Sequence, residues 1–102
     1  MTLRVLLQIE IQPEATERFE RLWHDHAAHV ATLADNHGQT LLRRTDRDDA
    51  YVVLTDWTDE PAFRAFERSE RQQAYLKELW AIRAGGSMTL LDVVTDLVPA
   101  AG

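Results

Sequence analysis

Three histidines crowd one short stretch of this chain, in His24-Asp25-His26 and His29. Imidazole exchanges a proton near neutral pH and also ligates metals, so the stretch offers two chemistries. Helical periodicity separates them. Residues on a helix advance by roughly 100° each, and Ala15, Phe19, Leu22, Val30 and Leu33 define one apolar stripe. His26 falls near the middle of that stripe, His29 at its margin and His24 almost opposite. His26 and His29 alone form an i, i+3 pair without a placed carboxylate, so no metal site is expected. An enclosed His26 is expected either as a general base or as a hydrogen-bonded core residue.

The second chemical group is aromatic. Tyr51 to Phe63 (YVVLTDWTDEPAF) reads as an apolar strand ending on Trp57, with a helix opening at once behind it. Thr58 or Asp59 suits an N-cap, and Pro61 is tolerated in a first helical turn. Alternation puts Tyr51, Val53 and Thr55 on the same strand face as Trp57. If that face meets the helices, Trp57 and His26 line opposite walls of one interior. Further on, Gln72, Leu76, Leu79, Trp80 and Arg83 are expected to share a helix face, with Tyr75 at its edge. Tyr75 or Arg83 is the candidate donor to a phenolate or carbonyl, unless both are exposed. The candidate catalytic set is therefore His26, Trp57, Tyr75 and Arg83. Tyr51, Val53, Phe63, Phe66 and Trp80 are the candidate substrate contacts, with core filling the alternative for Trp23, Trp57 and Trp80.

The elements that must position these residues follow from pattern. Leu3 to Ile11 alternates as a strand, and Pro13 opens a helix expected to reach about Ala34, where Asp35-Asn36-His37-Gly38 signals a stop. Gln39–Thr45 and Ala50–Trp57 read as strands joined by the charged turn 46–49. A second helical region is expected over about 59–84, broken near Ser69-Glu70 and ended by Gly85-Gly86. Ser87 to Val98 reads as the last strand, and 99–102 as a loose tail after a single domain over 1–98.

The order β-α-β-β-α-β predicts an α+β ferredoxin-like sandwich, a four-stranded antiparallel sheet with its helices on one face. The strands carry apolar side chains of both parities, such as Val53 and Trp57 against Val52 and Leu54. The uncovered face therefore predicts a homodimer through the open sheet.

Composition bounds the rest. The chain's 102 residues, 45% hydrophobic and 27% charged, fit one globular domain. A net charge of −6 argues against nucleic acid as partner. Apolar runs are strand-sized, so no membrane span is expected, and no signal peptide is visible. The absence of cysteine excludes thiolate sites and disulfides. A cytoplasmic protein is the expectation.

The Asp56-Trp57-Thr-Asp-Glu-Pro-Ala-Phe run with Phe66 resembles the antibiotic biosynthesis monooxygenase (ABM) family. The opening Val5-Leu-Leu-Gln-Ile-Glu-Ile, the Asn36-His-Gly-Gln turn and the Leu41-Leu-Arg-Arg strand are also similar to it. The resemblance implies a dimeric α+β barrel with a pocket between sheet and helices. In several members it also implies oxidation of aromatic polyketides by O₂ without flavin, haem or metal. Polyketide-oxidising members tend to carry asparagine where Val53 stands and tyrosine where Phe63 stands. Quinol-type members often carry histidine at Phe66. The haem-degrading branch needs histidine at Glu67, so the resemblance does not extend to haem. Trp57 carries over. The implied function is a cofactor-independent monooxygenase acting with O₂ as co-substrate on a phenolic, anthrone-like small aromatic substrate. A polyketide cyclase or aromatase, which works without O₂, and a non-catalytic dimeric module that binds small aromatics are the alternatives.

Overall fold

Strong alternation makes Leu3–Ile11 a strand (β1), with Leu3, Val5, Ile9 and Ile11 buried against the helices. The computed structural model describes residues 2–97; Val98 and the tail expected over 99–102 lie outside the described residues, but the last strand, expected to run to Val98, already ends at Asp92. After β1, Pro13–Ala15 forms a short 3₁₀ turn that leads into helix α1, Thr16–Val30. Strand β2 covers Asn36–Arg43 and β3 covers Ala50–Trp57. Two helices follow, α2 over Glu60–Glu67 and α3 over Glu70–Trp80, and β4 runs from Arg83 to Asp92.

Local chemistry explains the boundaries. Asp59 accepts a hydrogen bond from the Ala62 N–H at 2.9 Å and caps α2. Ser69 is extended and accepts from the Gln72 N–H at 3.2 Å, so the chain restarts as α3 where the break was expected. Helix α1 ends at Val30 and not near Ala34. The next N–H groups bond three residues back, Thr32 to His29 and Leu33 to Val30, and the Thr32 hydroxyl takes the same His29 carbonyl at 2.7 Å. The expected stop signal at 36–38 is instead the irregular start of β2, whose register shifts between Asn36 and Gly38.

The largest departure is at Gly85-Gly86. These glycines do not end a helix; they lie inside β4, beside the register shift between Glu10 and Ile11. A Cβ on Gly86 would come within 2.6 Å of the Gln8 carbonyl oxygen and 3.1 Å of the Arg83 guanidinium. Glycine here marks a close approach of backbone and side chain.

The four strands form one antiparallel sheet in the order β2-β3-β1-β4, with the helices on one face, the ferredoxin-like arrangement. Between sheet and helices the core falls into two clusters. One gathers Ile9, Ile11, Phe19, Tyr51, Leu79 and Ile82. The other gathers Leu3, Val5, Val30, Trp57 and Phe63. Interiors normally pack without such a division. One cavity is lined both by Val5, Val30, Trp57 and Phe63 of the second cluster and by Leu7, Trp23, Tyr75 and Leu76 packed on the first.

Candidate active site

The floor of the cavity is set by strand register. Gln39 pairs with Thr55, which pairs with Val5; in the next inward-facing row Val53 pairs with Leu7, and Leu7 with Met88. All six line a cavity of about 220 Å³. Its roof comes from the helices: Trp23, His26 and Val30 of α1, Phe63, Phe66 and Glu67 of α2, and Gln72, Gln73, Tyr75 and Leu76 of α3. Trp57 closes one end, where β3 gives way to α2.

Trp57 is 1% exposed. Its ring packs on Phe66 with centroids 4.6 Å apart and on Phe63 at 5.9 Å. The indole Nε1 donates to the Thr55 hydroxyl at 3.0 Å, two residues back on the same face. A buried indole needs such an acceptor, and the bond fixes the plane of the ring.

His26 lies across the cavity, half-buried. Its Nε2 is 2.6 Å from Gln72 Oε1, and its ring stacks flat on Tyr75 with centroids 4.0 Å and planes 6° apart. Burial holds its pKa below the ordinary histidine value. The Gln72 hydrogen bond acts the other way, and the nearby charges of His29 and Arg71 add to the lowering. The neutral imidazole is therefore the favoured form at pH 7. Burial also raises the Tyr75 hydroxyl well above the usual phenol value, so it stays protonated and able to donate.

The structure brings His26, Trp57, Tyr75, Val53, Phe63 and Phe66 together around this space. It keeps three sequence candidates away. Trp80 is 57% exposed, because α3 turns it outward from the buried Leu79 beside it. Arg83 is not on the helix but on β4, with its guanidinium 4.2 Å over the Trp80 ring. Tyr51 is core: its ring packs on Phe19, and its hydroxyl donates to Glu20 at 2.6 Å, where Arg43 also donates at 2.8 Å.

The polar members Gln39 and Gln73 were not among the sequence candidates, and Thr55 and Gln72 were placed on their faces without a role. Thr55 is visible two residues before Trp57, and Gln72 one helical turn before Tyr75. Gln39 needs the strand pairing; its amide donates to the Ala27 carbonyl at 2.9 Å, tying β2 to α1. Among the described residues no group of three or more His, Cys, Asp or Glu side chains is gathered to hold a metal. No helix among them is long and apolar enough to cross a membrane.

The fold and site thus define a small α+β protein with an aromatic-walled cavity between a sheet and its helices. The family model for antibiotic biosynthesis monooxygenases (ABM) matches residues 2–78, and the chain belongs to that family. Over 66 residues it is 38% identical to a deoxynogalonate monooxygenase of Streptomyces nogalater; the match covers 65% of this chain and 53% of that relative. The chain thus spans about half the length of that protein. The fold is similar to the crystal structure of SnoaB, a cofactor-independent oxygenase from Streptomyces nogalater, with a TM-score of 0.85, 25% identity, and coverage of 94% of this chain and 96% of the other. A Caulobacter crescentus protein described as a putative antibiotic biosynthesis monooxygenase superposes with a TM-score of 0.86 at 23% identity, covering 92% and 91% of the two chains.

Proposed function

We propose that this protein is a cofactor-independent monooxygenase that oxidises a phenolic, anthrone-like intermediate of aromatic polyketide biosynthesis. The observation that carries the reading is the half-buried His26, whose base form burial favours, set with Trp57 and Phe66 around a partly open, mainly apolar cavity. The similarity to SnoaB and to the deoxynogalonate monooxygenase supports it.

In this reading the aromatic walls align a flat polycycle and His26 removes its acidic C–H proton. The electron pair stays on the substrate as a delocalised anion. The anion gives one electron to O₂, the two radicals join into a carbon–oxygen bond, and the peroxide takes back the proton. Loss of water from that peroxide leaves a quinone carbonyl, so one oxygen atom enters the product and the other leaves as water. Tyr75, kept protonated, donates a hydrogen bond to the phenolate oxygen. Exclusion of water and fixed geometry supply the remaining acceleration. The protein acts in the cytoplasm as a two-fold dimer joined through the open sheet face.

Purified protein freed of metal and flavin, mixed with an anthrone under air, should consume O₂ faster than buffer, and His26→Ala should abolish the excess. O₂ uptake equal to the buffer control would overturn the proposal. Turnover that persists without O₂ would reassign the site to a cyclase.

A further inference from the structure

His26 is held on two sides by one helix. Gln72 and Tyr75 stand three residues apart on α3, so their side chains emerge on the same face. Gln72 meets the edge of the imidazole at 2.6 Å and Tyr75 covers its flat side at 4.0 Å. A carbonyl oxygen only accepts. With Oε1 against Nε2, the proton of the neutral ring resides on Nε2 and the lone pair on Nδ1.

We propose that Gln72 is a positioning residue that locks His26 in its Nε2–H tautomer against Tyr75, so that Nδ1 is the ring atom open to a proton. The inference deepens the reading of His26 as the base and rests on it for its catalytic consequence. In that step the substrate C–H bond breaks, its electron pair remains on the substrate, and a new N–H bond forms at Nδ1. Gln72 neither gains nor loses a proton. Its bond to Nε2–H becomes charge-assisted as the imidazolium forms, and the Tyr75 ring faces the new charge. An amide cannot pass the proton onward, so the proton returns from Nδ1 to the peroxide oxygen.

The surroundings leave this role to Gln72. From α1, His29 bears on the ring; from α3, Arg71 does, and both disfavour the cation. Asp25 and Glu78 share a shallow groove with His26 on its outer side, and Glu67 of α2 lines the cavity while bonded to Arg64 at 2.8 Å. The sheet contributes only the uncharged Gln39 and Thr55 to the cavity opposite. The Gln72 bond is thus the hydrogen bond that favours the protonated ring, beside the Tyr75 face.

The test is long-range ¹H–¹⁵N correlation of the histidine rings above their titration, with His26 assigned by its loss in His26→Gln. The wild type should show a single Nε2–H tautomer. Gln72→Met, which keeps length and removes the acceptor, should give a tautomer mixture. It should also move the acid limb of kcat/KM for anthrone oxidation to lower pH and reduce kcat on the order of 10-fold through lost alignment, with KM little changed. Gln72→Glu should restore the single tautomer and move the limb upward. A wild-type ring protonated on Nδ1, or an unchanged Nε2–H tautomer in Gln72→Met, would overturn the proposal. The wild-type spectrum decides even if the methionine variant does not fold. If the tautomer lock is seen and lost as expected, yet the wild type consumes O₂ with anthrone no faster than buffer, the lock holds and the proposed function fails; if His26→Ala oxidises anthrone normally, the function stands and His26 is not its base.

Discussion

At the scale of single residues, the site turns on what burial does to a base. His26 loses its hydration, and the charged form suffers more than the neutral one, so the folded-state pKa lies below the ordinary value of about 6.5. The base form is therefore available throughout the neutral range. We expect kcat/KM for anthrone oxidation to fall along an acid limb centred below the ordinary histidine value. The decline should vanish, with a loss of about 10² to 10⁴ in rate, in His26→Gln. A pH-rate profile checks both, and a limb centred above 7 would contradict them. The same shift acts on stability. The unfolded chain binds the proton more tightly, so this contribution is full above the unfolded pKa and is lost as pH falls through the folded one. His26 and Trp57 were legible in the sequence because periodicity alone fixes which way a helix or strand residue faces. Trp80 and Arg83 were not, because that inference presumes the helix continues. Once α3 stops at Trp80, Arg83 belongs to a strand and its phase means nothing.

At the scale of elements, order and type were legible, and β1 and β3 matched residue for residue. The α1 end was misread for a local reason, the bonds three residues back that close it at Val30, and the start of β4 for a distant one. Gly85-Gly86 is a helix stop by local rules, yet Gly86 lies in β4 and pairs with Ile9 of β1, where the sheet leaves no room for a side chain. The same crowding predicts the cost of changing it. In Gly86→Ala the new Cβ meets the Gln8 carbonyl oxygen at 2.6 Å, and a backbone atom fixed by two neighbouring strands cannot rotate aside. The Arg83 guanidinium at 3.1 Å can move, but doing so disturbs its stacking on Trp80. We expect a loss of about 1 to 3 kcal/mol from overpacking, seen as a lower midpoint in urea with an unchanged slope. Gly38→Ala is the control, since nothing lies within 4 Å of its added carbon. Equal stability of the two variants would show that β1 and β4 separate more easily than their register suggests.

At the scale of the whole molecule, the fold leaves one face of the sheet without helices. That face presents Leu6, Val52 and Leu54, half-buried at its centre, with Leu42 44% and Leu91 40% exposed toward its edges. Arg4 and Asp56 share the face, but they neutralise each other through paired bonds of 2.7 and 2.9 Å. Covering the face would therefore bury no unpaired charge. A second copy is the simplest cover, because a two-fold axis sets the same apolar patch against itself and leaves no edge for further growth. We expect the 11.7 kDa chain to sediment as a dimer at micromolar concentration. Leu54→Arg should convert it to a monomer, since the two-fold axis would bring two buried cations into one interface. The cavity lies on the opposite face of the sheet, so the monomeric variant should keep the His26 tautomer while losing thermal stability that depends on protein concentration. Sedimentation velocity and melting curves over a hundred-fold range of concentration check the two together. A wild type that sediments as a monomer, or a Leu54→Arg variant that remains a dimer, would show that the open face is covered in some other way.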